Sequence, residues 1–395
     1  MPARRVLLYV QHLLGIGHLK RAAALADGMV RAGLEVTLVT GGMPVLGLEL
    51  NATHCVQLAP ASAADLSFKT LVDEQGRPVD DAWKAMRRKQ LMDAWSACEP
   101  DALVIELFPF GRRQMRFELL PLLEAARARS RRPWIISSVR DVLGGGQTDP
   151  ARADQMLATF DRYFDHVLVH GDGALVPFEC SFRHAGRLEG RMHYTGYVVG
   201  PAQPAGIGDA TETATAGAQG GVLVSVGGGA VGQRLLEVAV QARPLSSLHA
   251  EPWRLLAGVN AAEADLAHLR VLAQAQPGIT IERFRSDFTR LLARCRLSVS
   301  QGGYNTVMEV LQARAAAVIV PFAGGSETEQ SLRARLLADT GRIALVEEAG
   351  LSPQALALAI DRAAQWDAAG ASPVHLDGAC TAAALLCRWL ERPAP

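Results

Sequence analysis

The chain has 395 residues, of which 49% are hydrophobic and 20% charged, a composition typical of a globular protein rather than a disordered one. At roughly 150 residues per domain, this length predicts two or three domains. Forty basic residues balance forty acidic ones, so the net charge gives no electrostatic case for nucleic acid as a partner.

The first half of the chain alternates strand patterns with helix patterns. Between residues 10 and 33, apolar side chains recur at helical spacing, and Gly33 ends the helix. Short apolar runs predict strands at residues 4–10, 34–39, 102–105, 134–137 and 166–170.

The second half repeats this alternation. Its strands are predicted at residues 222–226, 254–257, 279–284, 297–300, 317–320 and 343–346. Continuous apolar strands joined by helices indicate parallel sheets that are covered on both faces. We therefore expect an α/β protein with two Rossmann-like domains facing across a cleft, with ligands at the carboxyl ends of the strands.

Residues 201–220 are almost all small or polar, which is typical of an exposed connector. The sequence thus predicts a first domain at 1–200, a linker at 201–220 and a second domain at 221–370. Residues 371–395 are expected to form a C-terminal helix that can pack back across the interdomain region.

The six cysteines form no Cys-x-x-Cys pair, which favours reduced thiols. The apolar run after Arg5 stops at Val10, too early for a signal peptide. No run of about 18 apolar residues predicts a membrane span. We expect a cytoplasmic protein.

Three predicted strand-to-helix junctions are rich in glycine, and each can hold a phosphate. Glycine lets the backbone approach an anion, and the helix that follows points unpaired N–H groups at it. The alternative is that these glycines only form tight turns. The junctions contain Gly15 and Gly17, then Gly227 and Gly228, then Gly302 and Gly303.

A dinucleotide site is disfavoured. Lys20 occupies the position of the third glycine in the dinucleotide fingerprint, and the second strand ends without an acidic residue. No glycine loop continues into the Gly-Lys-Ser/Thr of a nucleotide triphosphate loop. No cofactor is expected.

Two segments carry a resemblance to a known family. Residues 298–309, Ser-Val-Ser-Gln-Gly-Gly-Tyr-Asn-Thr-Val-Met-Glu, with 317–322 and 329–334, resemble the donor-nucleotide signature of glycosyltransferase family 28. Residues 15–21, Gly-Ile-Gly-His-Leu-Lys-Arg, resemble the opening of a MurG-like branch of predicted bacterial glycosyltransferases. Arg140-Asp141 and His170-Gly171-Asp172 are similar to the same branch.

The resemblance implies the two-domain fold called GT-B and a UDP-linked sugar as donor, with an N-acetylhexosamine as the favoured sugar. It implies that Glu309 accepts hydrogen bonds from the ribose hydroxyls, for which a carboxylate is a suitable double acceptor. The other implied donor-binding residues are Gly302, Gly303 and Asn305 at the diphosphate, Gln330 at the sugar, the backbone near Phe284 at the uracil, and Gly227 and Gly228 against the donor.

The chain departs from the family pattern at two places. Gly229-Ala230-Val231 replaces a Ser-Gln-Gly segment, and Arg333 stands where the pattern has asparagine. These changes leave the identity of the transferred sugar open.

Glycosyl transfer needs a base for the acceptor hydroxyl and stabilisation of the departing diphosphate. His18 is the first candidate base because imidazole titrates near neutral pH, and its alternative role is to cap the helix or position phosphate. Asp141 is the second, with a salt bridge to a neighbouring arginine as the alternative. Since the sequence has no Asp-x-Asp triplet, we expect metal-independent, inverting transfer with helix N-termini stabilising the leaving group.

Other features leave the acceptor undetermined. Residues 83–95 form a basic amphipathic pattern that fits either peripheral contact with an anionic bilayer or an ordinary solvated face. His166 and His170 are interpreted as cleft-edge or packed histidines rather than as a pair of metal ligands. The acceptor can be a small molecule, a lipid-linked molecule or a peptide. Two alternatives to a transferase are a sugar-nucleotide epimerase of the same fold and a non-catalytic nucleotide-sugar-binding subunit.

Overall fold

A computed structural model describes residues 3–45, 48–65, 70–144, 149–200, 220–227, 232–259, 261–285, 287–324, 328–366 and 374–394. The chain divides into two compact units, Met1–Gly200 with His375–Pro395, and Pro201–Val374. The linker predicted at 201–220 lies, except for residue 220, outside the described residues. The C-terminal helix belongs to the first unit.

The first unit is built around a parallel sheet. Its elements are β1 (Arg5–Val10), α1 (Gly17–Arg31), β2 (Glu35–Thr40), β3 (His54–Gln57), β4 (Ser62–Ala63), β5 (Leu71–Val72), α2 (Asp81–Cys98), β6 (Ala102–Glu106), α3 (Arg116–Ala128), β7 (Trp134–Arg140), α4 (Pro150–Tyr163), β8 (His166–His170) and β9 (Met192–Tyr194). A one-turn 3₁₀ helix, Arg113–Met115, leads into α3.

Seven strands of this unit pair in the order β3-β2-β1-β6-β7-β8-β9, and β4 and β5 form a separate antiparallel pair. From β1 the chain runs outward to β2, whereas from β6 it runs outward the other way to β7. The sheet therefore has its topological switch point between β1 and β6, the place where open α/β sheets bind ligands. The five strands predicted for this half are present, and β3, β4, β5 and β9 were not predicted.

The two faces of this sheet are buried separately. Leu7 and Tyr9 of β1 point into a core with α2, α3 and α4, whereas Val6 and Leu8 point into a core with α1 and the C-terminal helix. This alternation is what a fully covered strand requires.

The second unit is also a doubly covered parallel sheet. Its elements are β10 (Val222–Ser225), α5 (Gln233–Ala242), β11 (Trp253–Leu256), α6 (Glu263–Ala273), β12 (Ile279–Glu282), α7 (Phe288–Arg294), β13 (Leu297–Ser300), α8 (Tyr304–Ala313), β14 (Ala317–Ile319), α9 (Glu329–Asp339), β15 (Ala344–Leu345) and α10 (Pro353–Ala364). The last helix of the chain is α11 (Gly378–Leu390).

The strands of the second unit pair in the order β12-β11-β10-β13-β14-β15. All six strands predicted for this half are present. Helices α5, α6 and α10 share one apolar core with the sheet, and α7 packs against α8. The switch point lies between β10 and β13, the strands that precede two of the predicted glycine loops. The prediction of an α/β protein with parallel sheets in two domains is confirmed.

Helix α2 has a buried arginine that sequence analysis placed on a basic face. Arg87 has no exposed surface, and its Nε donates to Glu118 Oε2 at 2.8 Å. Its guanidinium also donates to Gly41 O at 2.8 Å and Gln11 Oε1 at 2.5 Å. The prediction was wrong for Arg87, which ties α2 and α3 to the ends of β1 and β2.

The remaining basic side chains of α2 are largely neutralised. Lys84 pairs with Asp81 at 3.0 Å and Lys89 with Asp93 at 2.6 Å. The exposed face of α2 therefore has little net charge for a bilayer. No helix in the described part of the chain has the length and apolar character needed to cross a membrane.

Helix α11 is held on the first unit by close packing and by aromatic rings. A Cβ on Gly28 of α1 would lie 3.0 Å from Ala379, so the two helices meet at backbone distance. The His166 ring stacks on Trp389 at 4.1 Å, and His166 Nδ1 lies 3.1 Å from His193 Nε2. These contacts join α11 to β8 and β9.

We expect the free energy of unfolding to fall as the pH is lowered from about 6.5 to about 4. Burial, reinforced by His193, lowers the pKa of His166 from 6.5 to about 4. Between these pH values His166 binds a proton more readily in the unfolded chain than in the folded one. Lowering the pH therefore favours the unfolded chain and reduces the free energy of unfolding. Calorimetric melting temperatures measured from pH 7 to pH 4 test this. His166→Phe keeps a stacked ring, so it should flatten part of the dependence, whereas the exposed His54→Phe should not; a flat wild-type profile contradicts the prediction.

Candidate functional site

His18 lies at the switch point of the first sheet. β1 ends at Val10 and α1 begins at Gly17, which places His18 in the first turn of the helix. The residue before the helix, Ile16, makes no side-chain capping bond. The first-turn amides of α1 are thus not capped by that side chain, which suits an anionic group.

Glu106, the last residue of β6, orients His18. The Nδ1 atom of His18 lies 2.7 Å from Glu106 Oε1, and Arg21 of α1 donates to the same oxygen. A carboxylate can only accept, so the Nδ1 of His18 carries the proton in this bond. That tautomer leaves Nε2 to accept a proton, as in enzymes where a third group orients a histidine base.

The charges of this pair are set by burial and by Arg21. Burial lowers the pKa of His18 to about 3 despite the opposing pull of Glu106, so the imidazole is neutral at neutral pH. Burial alone would raise the pKa of Glu106, but its interactions with His18 and Arg21 lower it well below the ordinary range. Glu106 has no exposed surface, whereas 15% of the His18 side chain is exposed. His18 is therefore the member that a substrate can reach.

Sequence reasoning missed Glu106 because it ended the strand at residue 105. The available signal was an acidic residue closing an apolar strand, at the edge where parallel strands present their carboxyl ends. Glu106 Oε2 is buried and has no hydrogen-bond partner among the described residues.

Asp141 directly follows β7, one strand beyond β6 in the sheet. It has no exposed surface, and its Oδ1 accepts a hydrogen bond from the Val142 amide at 2.9 Å. A Cβ on Gly171 would lie 2.6 Å from Asp141 Cβ, so only glycine fits there. The geometry suits a positioning role better than direct proton transfer from a substrate.

His170, the last residue of β8, is a packed histidine, in agreement with its interpretation from the sequence. Its Nε2 lies 2.8 Å from Ser138 Oγ and its Nδ1 lies 2.9 Å from Thr195 Oγ1. Burial lowers the pKa of His170 to about 3, which keeps it neutral.

Three loop glycines, one in the first unit and two in the second, are not required by the packing of the fold. A Cβ on Gly15, Gly227 or Gly303 would meet nothing within 4 Å among the described residues, and none of the three has a positive φ. A close approach by a ligand would account for glycine at these positions. Gly228 lies outside the described residues.

Gly302 and Gln330 are brought together by the fold. A Cβ on Gly302 would lie 3.2 Å from Gln330 Cβ and 3.3 Å from Pro321 Cβ. The Oε1 of Gln330, in the first turn of α9, accepts a hydrogen bond from the Phe322 amide at 3.1 Å. The close approach of Gly302 to Gln330 sets the distance between α9 and the loop that precedes α8.

Helix α8 carries the other predicted donor residues of this region. Gly303 is its N-cap, without a side-chain capping bond, and Asn305 and Glu309 follow on the helix. Both side chains are partly buried. The helix therefore offers an N-terminus for an anion and a carboxylate one turn further along.

Phe284 lies beyond the end of β12, three strands from β13, with 63% of its surface exposed. A cavity of about 220 Å³ lies between the start of α5 and the ends of β13 and β14, lined in part by Gly232, Gln301 and Phe322. These features all lie at the carboxyl edge of the second sheet.

Sequence reasoning also missed paired serines at the second switch point. Ser225 and Ser300 are neighbours in the register of β10 and β13. Both hydroxyls are buried, and the described residues give them no hydrogen-bond partner. They are placed to bond an ordered water or a ligand group. Among the residues described, no three His, Cys, Asp or Glu side chains are arranged to hold a metal ion.

The second unit matches a known family model. Residues 223–372 match the glycosyltransferase family 28 C-terminal domain. The match contains the strands of the unit, except for Val222 of β10, together with the cavity and every predicted donor residue of the unit.

Curated proteins are also similar to this chain in sequence. The UDP-N-acetylglucosamine--N-acetylmuramyl-(pentapeptide) pyrophosphoryl-undecaprenol N-acetylglucosamine transferase of Rhodopseudomonas palustris is 27% identical over 86% of this chain and 84% of its own length. The protein of the same name from Bordetella pertussis is 34% identical over 36% of this chain and 40% of its own length.

Solved structures show the same fold. The crystal structure of Acinetobacter baumannii MurG covers 97% of this chain and 99% of its own, with a TM-score of 0.60 and 17% identity. The calicheamicin glycosyltransferase CalG4 covers 99% and 100%, with a TM-score of 0.64 and 17% identity.

We expect the His18 imidazole to stay neutral down to pH 5, with its proton on Nδ1. Burial disfavours the charged form, and Glu106 accepts the Nδ1 proton. Nitrogen-15 NMR of the imidazole groups measures both the charge and the tautomer, and His18→Gln identifies the resonance by its loss. A doubly protonated His18 at pH 6 contradicts the geometry described here.

Proposed function

Because the chain is a MurG-like glycosyltransferase of the family 28 type with a GT-B fold, we propose that it transfers an N-acetylhexosamine from UDP to an acceptor hydroxyl. The observation that carries the proposed chemistry is the pairing of His18 with Glu106 beside an uncapped helix N-terminus. The sequence-based prediction of a glycosyltransferase is confirmed by the family match and the relatives. The epimerase and the non-catalytic subunit receive no such support.

The proposed donor site lies on the second unit. Glu309 accepts hydrogen bonds from the ribose hydroxyls, and the amides at Gly302 and Gly303 face the diphosphate at the start of α8. Gln330 contacts the sugar, the backbone near Phe284 borders the uracil, and Gly227 and Gly228 pack against the donor. The names of the relatives specify UDP-N-acetylglucosamine, which supports the choice of nucleotide and sugar.

The proposed mechanism is a direct displacement that inverts the anomeric carbon. His18 Nε2 takes the proton of the acceptor hydroxyl as its oxygen attacks, and the C–O bond to the diphosphate breaks. Glu106 fixes the tautomer and favours the imidazolium that forms. The helix N-terminus at Gly303 stabilises the leaving diphosphate, so no metal is needed.

The place of Arg333 bears on the sugar. Its guanidinium has no exposed surface, donates to Glu329 Oε1 at 2.7 Å and lies over the Tyr304 ring at 5.1 Å. Where the family pattern has asparagine, this chain thus has a buried guanidinium group against Tyr304, the first residue of α8. We propose that Arg333 positions Tyr304 and the start of α8 instead of contacting the sugar directly.

We propose a cytoplasmic protein whose acceptor brings it to the inner membrane face when that acceptor is lipid-linked. The support is that the names of the relatives specify a lipid-linked acceptor, a pyrophosphoryl-undecaprenol.

UDP should stabilise the wild-type protein against thermal unfolding, and Glu309→Gln should weaken UDP binding about tenfold or more. A hydrogen bond to a charged acceptor contributes about 1.5–3 kcal/mol, and the amide accepts less strongly. Isothermal titration calorimetry measures the Kd values of the wild type and the variant for UDP and for 2′-deoxy-UDP. The wild type should bind UDP more tightly than 2′-deoxy-UDP, and the variant should lose this preference. Glu237→Gln on α5 is the matched control. Equal binding of both nucleotides by the wild type would remove the assigned role of Glu309.

His18→Ala should lower kcat by about a hundredfold to ten-thousandfold, the range for a general base, with UDP affinity unchanged. Glu106→Gln should lower kcat less, because the amide still accepts the Nδ1 hydrogen bond. The rate at which each variant consumes saturating UDP-N-acetylglucosamine gives kcat. The exposed His54→Ala is the control. The proposal fails if His18→Ala and Asp141→Asn both retain near-normal turnover. Conversion of donor to an epimer without acceptor would favour the epimerase.

A further inference from the structure

A recess on the first unit lies where the loop after β6 meets the first turns of α3 and α4. This loop follows directly after Glu106 of the proposed catalytic pair, and Arg112 within it donates to Gln11 O at 2.7 Å. Its lining includes Phe108 and Gly111 of the loop, Arg113 of the 3₁₀ helix, Arg116 at the start of α3, and Arg152 and Gln155 of α4.

Three arginines of this recess lack a counter-charge. Within the described ranges, no carboxylate forms an ion pair with Arg113, Arg116 or Arg152, whereas Arg162 on the same helix as Arg152 pairs with Glu124 at 2.7 Å. The Nε atom of Arg152 is buried without a hydrogen-bond partner in the described part of the chain. Guanidinium groups stay charged at any physiological pH, so the recess concentrates positive charge.

The positions of these arginines oppose helix electrostatics. Arg116 is the first residue of α3 and Arg152 the third residue of α4, and the N-terminus of a helix disfavours a cation. The same helix ends favour an anion, and at α4 the Asp149 carboxylate already accepts a hydrogen bond from the Ala151 amide at 3.0 Å. Helix stability therefore does not account for two arginines in two first turns, whereas a bound anion accounts for both.

We infer that this recess is a binding site for the phosphate group of a ligand, separate from the proposed donor site. Arginine forks match phosphate oxygens with pairs of parallel hydrogen bonds. A phosphate monoester carries between one and two negative charges near neutral pH. It therefore balances the charge of three guanidinium groups better than a ligand with a single carboxylate would. The site lies wholly on the first unit, and its occupancy does not depend on UDP.

Inorganic phosphate, titrated into the full-length chain at constant ionic strength, tests the site through the melting temperature. We expect a saturable rise with phosphate and a much smaller one with acetate. The double variant Arg113→Gln/Arg152→Gln should need at least tenfold more phosphate for the same rise, and Arg162→Gln should behave as the wild type. Without phosphate the double variant should be no less stable, because repulsion is relieved.

Equal phosphate responses in the double variant and the wild type would overturn the inference, as would equal responses to phosphate and acetate. Loss of the UDP-induced rise in the double variant would also overturn it, since the sites would not be separate. If the double variant does not fold, Arg113→Lys/Arg152→Lys keeps the charge and should weaken phosphate binding by removing the forks. Failure of UDP to bind the wild type counts against the proposed donor and leaves this site standing.

Discussion

Glu106 is a carboxylate with no exposed surface, and it remains ionised because His18 and Arg21 both lie against it. Removing one partner of a buried ion pair costs about 3–5 kcal/mol, since the other charge is left uncompensated. The first turn of α1 is therefore held on the end of β6. That one interaction sets the tautomer of the proposed base, its orientation and its position at the switch point of the sheet.

Both units use the same physical device. Each sheet reverses its direction of winding between two adjacent strands, β1 and β6 in one unit and β10 and β13 in the other. The helices that follow leave a crevice at the carboxyl ends, where helix N-termini present unbonded N–H groups. Gly15, Gly227 and Gly303 lie at these ends without a packing reason for glycine. In each unit the proposed binding residues thus lie in the crevice at the carboxyl ends of the strands.

The regular part of this fold was predictable because its strands are apolar on both faces. The strands that were missed do not have that pattern: β3 is mostly exposed, and β9 has only three partly buried residues. Gly302 and Gln330 were both predicted donor residues, but their contact depends on the packing of α9 against the end of β13. Arg87 was misplaced because a charged residue at a core position of α2 becomes favourable only when Glu118 and backbone carbonyls surround it.

The sequence by itself determined the α/β class, the strand-to-helix glycine loops and His18 as a candidate base, since periodicity and backbone conformation are local properties. Only the tertiary structure decided which groups meet. Glu106 lies 88 residues from His18 in the chain, and the partners of Arg87 come from four other segments, which contain Gln11, Gly41, Ala59 and Glu118. The ionisation of a buried side chain depends on the charges and solvent around it, and these exist only once distant strands have packed side by side.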